Sequence, residues 1–360
     1  MTKNTSKTAR ICAVMQHHDY LVSTDPTYRA NRRAYEADIR VGRLAARTSV
    51  IRIPVVVHVI YNTASQNIKL SQIKSQIDAL NRDYRLQNTD RADVPAPFQP
   101  FVADTLIEFA LAVRDPQGNP TKGITRTQTT KTGFPYVESD PQATMKLDSM
   151  IKNSQFGKIG WPRDSYLNLW VCNITGGLLG YAQFPGGPSG TDGVVIANTA
   201  FGSGGIAKAP YNLGRTAVHE VGHWLDLLHI WGDDRGGCSG SDNVSDTPNQ
   251  ANSNGSDVRK SSFPHITCGN QPHGDMFMNY MDYVDDETMV MFTKDQVGRM
   301  NATLAGPRSS MATSSGLTPI TPPQPPSATH AARVSEGMKP IVEQGECTQC
   351  EYDGVSWVPL

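Results

Sequence analysis

His219-Glu220-Val221-Gly222-His223-Trp224-Leu225-Asp226-Leu227-Leu228-His229 contains H-E-x-x-H followed six residues later by a third histidine. Positions four apart share one face of a helix, so His219 and His223 can present two imidazole nitrogens to one metal ion. Glu220 points aside from both, where it can reach a metal-bound water without ligating the metal. A third ligand at His229 leaves a tetrahedral zinc with one open position, the catalytic rather than the structural arrangement. The lead-in supports a helix: Leu213, Ala217, Val218, Val221, Trp224 and Leu225 form an apolar stripe at helical spacing.

Working outward, 360 residues suffice for one large domain with appendages, or for two. With 33 basic and 34 acidic side chains, the balance favours neither nucleic acid nor an anionic membrane as partner. The chain lacks an apolar run of the ~18 residues that a membrane span needs, and the segment from Met1 to Arg10 has no apolar stretch of a recognisable signal peptide. The six cysteines (Cys12, Cys172, Cys238, Cys268, Cys347, Cys350) are spaced for separate jobs rather than for a disulfide scaffold.

The first fifty residues are polar and helix-prone, and Asp25-Pro26-Thr27-Tyr28 opens a helix expected to run to Ala46. The β-branched run Ile51–Tyr61 predicts a strand buried on both faces. Residues 71–85 predict an amphipathic helix with Ser71 as N-cap. Further strands are expected over 105–114, 166–174 and 194–197, and this order of elements describes an α/β half-domain. Leu178–Gly187 is either an irregular loop or a short edge strand whose unpaired backbone takes a peptide by strand addition. From Gly232 to Gly274 the chain is dense in Gly, Ser, Asn and Asp, and such a loop-built region needs outside support. Thr293 with Gln296 three residues on caps a closing helix to Leu304. From Gly306 onward Ser, Thr and Pro dominate, which predicts a linker or disordered tail.

Three motifs in order, the histidine stretch, Trp231-Gly232-Asp233 and Met278-Asn279-Tyr280-Met281-Asp282-Tyr283, resemble the pappalysin family of metzincin zinc proteases. The likeness runs from the Pro54–Ile60 strand to Met300. It implies an α/β (α+β) fold, with an upper subdomain of mixed twisted sheet and two helices. Below it come an irregular subdomain, the Met-turn and a C-terminal helix. It divides the chain into an N-terminal pro-segment (1–47), a catalytic domain (48–305) and a tail (306–360). His219, His223 and His229 become zinc ligands, Glu220 the general base, Met281 the apolar floor of the Met-turn, and Tyr283 the donor that supports the oxyanion. Asp286, just after the Met-turn, is expected at the base of the pocket for the residue after the scissile bond; the alternative is a solvated loop charge. Cleavage on the amino side of Arg or Lys follows, with Gly180 and Ala182 of the edge segment binding the peptide backbone.

Arg10-Ile11-Cys12 resembles the family's latency cysteine, whose thiolate fills the fourth zinc position until the segment is cut away; the alternative is an ordinary thiol. Among Arg40, Arg43, Arg47 and Arg52, Arg47 is the expected cut. Asp242, Asp246 and Thr247 resemble a calcium loop, or form an unliganded turn. Cys238 and Cys268 bracket that region and are expected to pair, which implies export. A second pair common in the family is missing, since Lys260 and Thr288 stand at its positions. One residue breaks the pattern. The family has Gly where this chain has Asp226, at a turn wanting φ > 0, and the substitution is expected to cost about 1 kcal/mol, so that Asp226→Gly would preserve or raise stability. The resemblance thus implies one catalytic zinc, a structural calcium, and protein or peptide substrates. A zinc hydrolase of non-protein substrates and a catalytically relict zinc module are the competing readings; the edge segment argues against the first, the intact Glu220 and Tyr283 against the second.

Overall fold

The computed structural model describes residues 10–41, 47–234, 236–319, 350–352 and 357–359. Two helices open it, α1 (Val14–Thr24) and α2 (Pro26–Val41). Asp25 explains the break between them. Its carboxylate accepts from the backbone N–H groups of Thr27 and Tyr28, and Pro26 takes the first helical position, where no N–H is needed. The sequence predicted only the second of these helices.

A six-stranded sheet follows, built from β1 (Ile51–Tyr61), β2 (Ile107–Leu111), β3 (Ile124–Gln128), β5 (Leu167–Cys172), β7 (Gly180–Ala182) and β8 (Val194–Ala197). β2 and β3 pair one after the other along the same edge of β1, and the order continues β1-β5-β8-β7. All pairings are parallel except β7 against β8, so β7 is an antiparallel edge strand. The two-residue strands β4 (Phe134–Pro135) and β6 (Ile174–Thr175) make a separate parallel pair. β1 is buried along nearly its whole length, as its β-branched run demands, and lies at the centre of the core with β5 and β8.

α3 (Leu70–Tyr84) presents Ile73, Ile77, Leu80 and Tyr84 inward. Its N-cap is Lys69 with no side-chain cap bond, and Ser71 lies inside the first turn, not at the cap as expected. α4 (Ala143–Ile151) was not expected; it buries Ala143, Leu147 and Ile151, a single stripe at four-residue spacing. α5 (Arg215–Trp224) starts after Gly214, whose φ of +81° suits glycine, and where a Cβ would come 2.7 Å from Ala79 of α3. Gln76 of α3 bonds Gly214 O and Tyr84 bonds Val218 O, so α3 anchors the start of α5. α6 (Lys294–Ala305) carries the expected capping box between Thr293 and Gln296. No described helix is long and apolar enough to cross a membrane.

The segment after α6 departs from expectation. Residues 306–318, read as the start of a disordered tail, make 3-10 turns at Ser309–Thr313 and Ser315–Leu317 that dock on the sheet side of the domain. Gly316 fits against Pro54 and Tyr166, where a Cβ would approach within 2.9 Å of either. Arg308 holds Asp192 through both carboxylate oxygens and bonds Trp224 O at the end of α5. The Arg308–Asp192 ion pair, the buried Met311 and backbone bonds from Val113 and Arg114 to Gly316 O dock this stretch without the apolar run that a composition-based reading requires. Two short antiparallel strands, β9 (Cys350–Tyr352) and β10 (Trp357–Pro359), end the described chain. Arg43, Cys347 and the Pro-rich run from 320 lie outside the described residues.

Candidate metal centre and cleft

α5 brings His219 and His223 onto one face, and the chain then turns at Asp226, φ +77°, to return His229 to them. The left-handed turn is the one the sequence required. His223 Nε2 lies 3.0 Å from His219 Nε2 and 3.1 Å from His229 Nε2, with all three rings fully buried. Each ring's other nitrogen has an acceptor: Tyr280 O at 2.7 Å for His219, Leu227 O at 2.7 Å for His223, and the Asp233 carboxylate at 2.9 Å for His229. Acceptors on the three Nδ1 atoms keep the protons there and leave three Nε2 lone pairs facing one another. Lone pairs so close repel unless a cation lies among them. Metal–nitrogen bonds of about 2.0–2.1 Å at tetrahedral angles set nitrogens ~3.3 Å apart, so the donor set fits zinc.

Cys12 supplies a fourth ligand atom. Its Sγ and the three histidine nitrogens all lie within 4.8 Å of one another, and among the described residues this is the only such group of His, Cys, Asp and Glu. Burial drives the His219 and His223 pKa values well down. Burial, and then the Glu220 carboxylate, push the Cys12 thiol up. Cys12 Sγ donates to Glu220 Oε2 at 3.3 Å, and burial raises the Glu220 pKa to about 8. Gly180 of β7 stands directly over Glu220: a Cβ there would come 3.0 Å from Glu220 Oε1, so only glycine leaves the carboxylate its room.

The Tyr283 hydroxyl is 3.2 Å from His229 Nε2 and 3.2 Å from Cys12 O, at the edge of the ligand set. Met281 lies beneath: a Cβ at Gly222 would come 2.6 Å from its Sδ. Asn279 fixes this turn by accepting from Met281 N and exchanging two hydrogen bonds with Gln296 of α6. Trp231 stacks on the His229 ring at 4.3 Å. Of these supporting residues, Trp231, Asp233 and Asn279 stand in the sequence motifs without a role of their own.

The N-terminal segment lies in the cleft as a strand. Cys12 bridges Gly180 in parallel register, Leu179 N donates to Ile11 O, and Ala13 N donates to Gly180 O. Leu178–Gly187 therefore does contain an edge strand, and it is occupied. Gly180 makes this contact; the hydrogen bonds toward the β8 side fall on Leu179 and Gln183, so Ala182 turns its backbone N–H and C=O to the same outer side as Gly180. Arg10 reaches Asp286. Its Nη2 is 2.7 Å from Asp286 Oδ1, Nη1 donates to Thr216 Oγ1 at 3.0 Å, Nε donates to Val284 O, and the guanidinium lies 4.8 Å from the Tyr211 ring centre. Asp286 is fully buried and also accepts from the backbone N–H groups of Leu213 and Arg215, so it is not a solvated loop charge. Sequence alone assigns Arg10 no role beyond its place in the Arg10-Ile11-Cys12 motif, and Tyr211 none at all, because a lone Tyr carries no local pattern.

Asp226 is a correction. Its side chain is buried and bonded to Arg32 of α2 and, at 2.9 Å, to Arg299 of α6, which also donates to Asp226 O. Glu36 of α2 pairs with both arginines. The residue is the hub of a four-charge network, which argues against the expectation that glycine would serve as well or better.

The disulfide Cys238–Cys268 forms as expected, with a Cα–Cα distance of 5.3 Å. The three calcium candidates have protein partners. Thr247 donates to Asp242, while Asp246 accepts from Thr293 Oγ1 and Asp295 N at the start of α6.

Comparisons with known proteins agree with this geometry. The Peptidase_M43 family, described as pregnancy-associated plasma protein-A, matches residues 150–305. An extracellular metalloprotease of Pyricularia oryzae is 33% identical over 274 residues, covering 73% of this chain and 78% of that protein. Among solved structures, mature mirolysin of Tannerella forsythia in complex with a cleaved peptide is 49% identical with a TM-score of 0.68, covering 74% of this chain and 97% of that one. A promirolysin mutant from the same organism is 45% identical with a TM-score of 0.75 and covers 84% of this chain and 97% of that one. A relative matched across three quarters of both sequences, with zymogen and mature folds matched as well, makes this chain a metalloprotease of the Peptidase_M43 family, the pappalysins.

Proposed function

We propose that the chain is a secreted zinc endopeptidase, held latent by its own N-terminal segment, that cuts proteins on the amino side of Arg and Lys. The observation that carries the proposal is the convergence of three histidine Nε2 atoms, the Cys12 thiol and the Glu220 carboxylate in one buried cleft.

His219, His223 and His229 would hold the metal. Bound there, zinc supplies Lewis acidity, lowering the pKa of water to about 7 and polarising a carbonyl oxygen. Glu220 takes a proton from the attacking water and hands it to the leaving amine, a task suited to a carboxylate in a dry site. The Tyr283 hydroxyl donates to the developing oxyanion without adding charge. Met281 and the stacked Trp231 keep the imidazoles from turning. β7 pairs with the backbone of the peptide, and Gly180 lets that backbone approach Glu220 closely.

Arg10 supports the specificity. It is a basic side chain of this chain seated on a buried aspartate, with an aromatic face and two further oxygen acceptors around it. A substrate Arg or Lys entering that pocket meets the same groups. Latency rests on the same contacts, because substrate must displace both Arg10 and Cys12. The assignment of 1–47 as pro-segment and of the chain from 48 as catalytic domain follows, extended by the docked residues 306–318. The disulfide, and the extracellular metalloproteases among the relatives, support secretion. A structural calcium would be held by Asp242, Asp246 and Thr247; the Asp246 oxygens each accept one hydrogen bond from the start of α6 and keep lone pairs for a cation.

The test is Glu220→Ala. The variant should keep one zinc per chain by elemental analysis while its hydrolysis of a denatured protein falls about 10²–10⁴-fold. Undiminished hydrolysis contradicts the role, and loss of zinc together with activity would place Glu220 among the ligands instead.

A further inference from the structure

Beyond Cys12, on the side away from Arg10, the N-terminal segment becomes α1 and sets His17 into a second polar pocket. His17 Nε2 lies 3.1 Å from Asp148 Oδ2, and both side chains are at most 2% exposed. The other oxygen, Asp148 Oδ1, is held at 2.7 Å by the Tyr181 hydroxyl and at 2.7 Å by Lys152 Nζ. Burial works to raise the Asp148 pKa, but Lys152 and His17 outweigh it and hold the group ionised below its ordinary value. Asp148 and Lys152 come from α4 and the residue after it, and Tyr181 from β7.

Two features mark this pocket as part of the cleft. Tyr181 directly follows Gly180, and alternate residues of a strand face opposite ways, so Gly180 faces Glu220 while Tyr181 faces α4. A peptide lying along β7 alternates in the same way and sends every second side chain toward Tyr181 and Asp148. Removal of the N-terminal segment takes away the donor on Asp148 Oδ2 and leaves a carboxylate oxygen with an unmade bond, which is costly in a buried site.

We propose that His17 occupies a substrate subsite, in which Asp148 accepts a hydrogen bond from a side chain of the peptide lying before the scissile bond, with Tyr181 as wall and Lys152 as counter-ion. The inference rests on the peptidase reading above and adds a second point of recognition to it. Because Lys152 already balances the Asp148 charge, the selection is for a donor more than for a cation: imidazole and carboxamide side chains fit, and Asp and Glu are rejected.

The experiment uses the processed enzyme and peptides with a single Arg, in which His, Asn, Leu or Glu is placed in turn at each of the three positions before it. At one position His and Asn should raise kcat/KM about tenfold over Leu, and further over Glu, as expected for a bond to a charged acceptor. A flat profile at all three positions, with cleavage still before Arg, overturns the subsite alone; cleavage elsewhere overturns the peptidase specificity with it. Asp148→Leu removes the acceptor but by itself would strand a buried Lys152, so it is combined with Lys152→Met. The donor advantage should fall to about one in this pair while the preference for Arg after the cut persists. An advantage that survives the pair overturns the assignment.

Discussion

Asp226 shows how a residue out of pattern can be misread from sequence alone. Its φ of +77° was legible, since the third histidine can return to the first two only through such a turn. Its partners were not, because Arg32 and Arg299 lie 194 and 73 residues away. With those partners known, the sign of the predicted mutation changes. Glycine would relieve about 1 kcal/mol of backbone cost but would leave two buried arginines with the half-buried Glu36 as their remaining carboxylate partner, a loss of up to about 3–5 kcal/mol. Asp226→Gly should therefore destabilise the full-length chain by up to ~2–4 kcal/mol, read by denaturant unfolding in the Glu220→Ala background so that the chain cannot process itself. Equal or greater stability would restore the simpler view of Asp226 as a tolerated misfit. His219, His223, His229 and Glu220 were legible for the opposite reason: their spacing is local and itself encodes the geometry.

Elements whose burial shows as an apolar run or stripe were legible too, namely β1, β2, β5, β8, α3 and α5, and α6 was legible from its capping residues. β3 was missed because Ile124-Thr-Arg-Thr-Gln128 is half-exposed at the sheet edge and has one apolar residue. α4 was missed because its stripe is only three residues long. The N-terminal segment behaves as a single element gripping the domain at four places: Cys12 at the histidines, Arg10 at Asp286, His17 at Asp148, and Arg32 with Glu36 at Asp226 and Arg299. Only the first of these was visible as a motif. Four grips imply that loss of one does not fully release the segment. Full-length Cys12→Ala should hydrolyse a denatured protein before any processing, but on the order of tenfold more slowly than the processed enzyme, because charge-assisted bonds still hold the segment. Sustained latency in that variant would remove Cys12 from the switch.

At the scale of the whole molecule, one mixed, mostly parallel sheet, the helix α5 and an irregular lower region converge on a site that the chain itself fills. The near-balance of charge leaves recognition to buried local groups, with Asp286 on one side of the metal centre and Asp148 on the other. The central claim is that these parts make a zinc peptidase that reads the residue after the cut. The most direct measurement is digestion of a denatured protein by the processed enzyme, with and without a zinc chelator, followed by mass-spectrometric identification of every new amino terminus. The account predicts termini that begin with Arg or Lys and vanish with the chelator. Termini without a basic first residue, or cleavage that persists once zinc is removed, would contradict it.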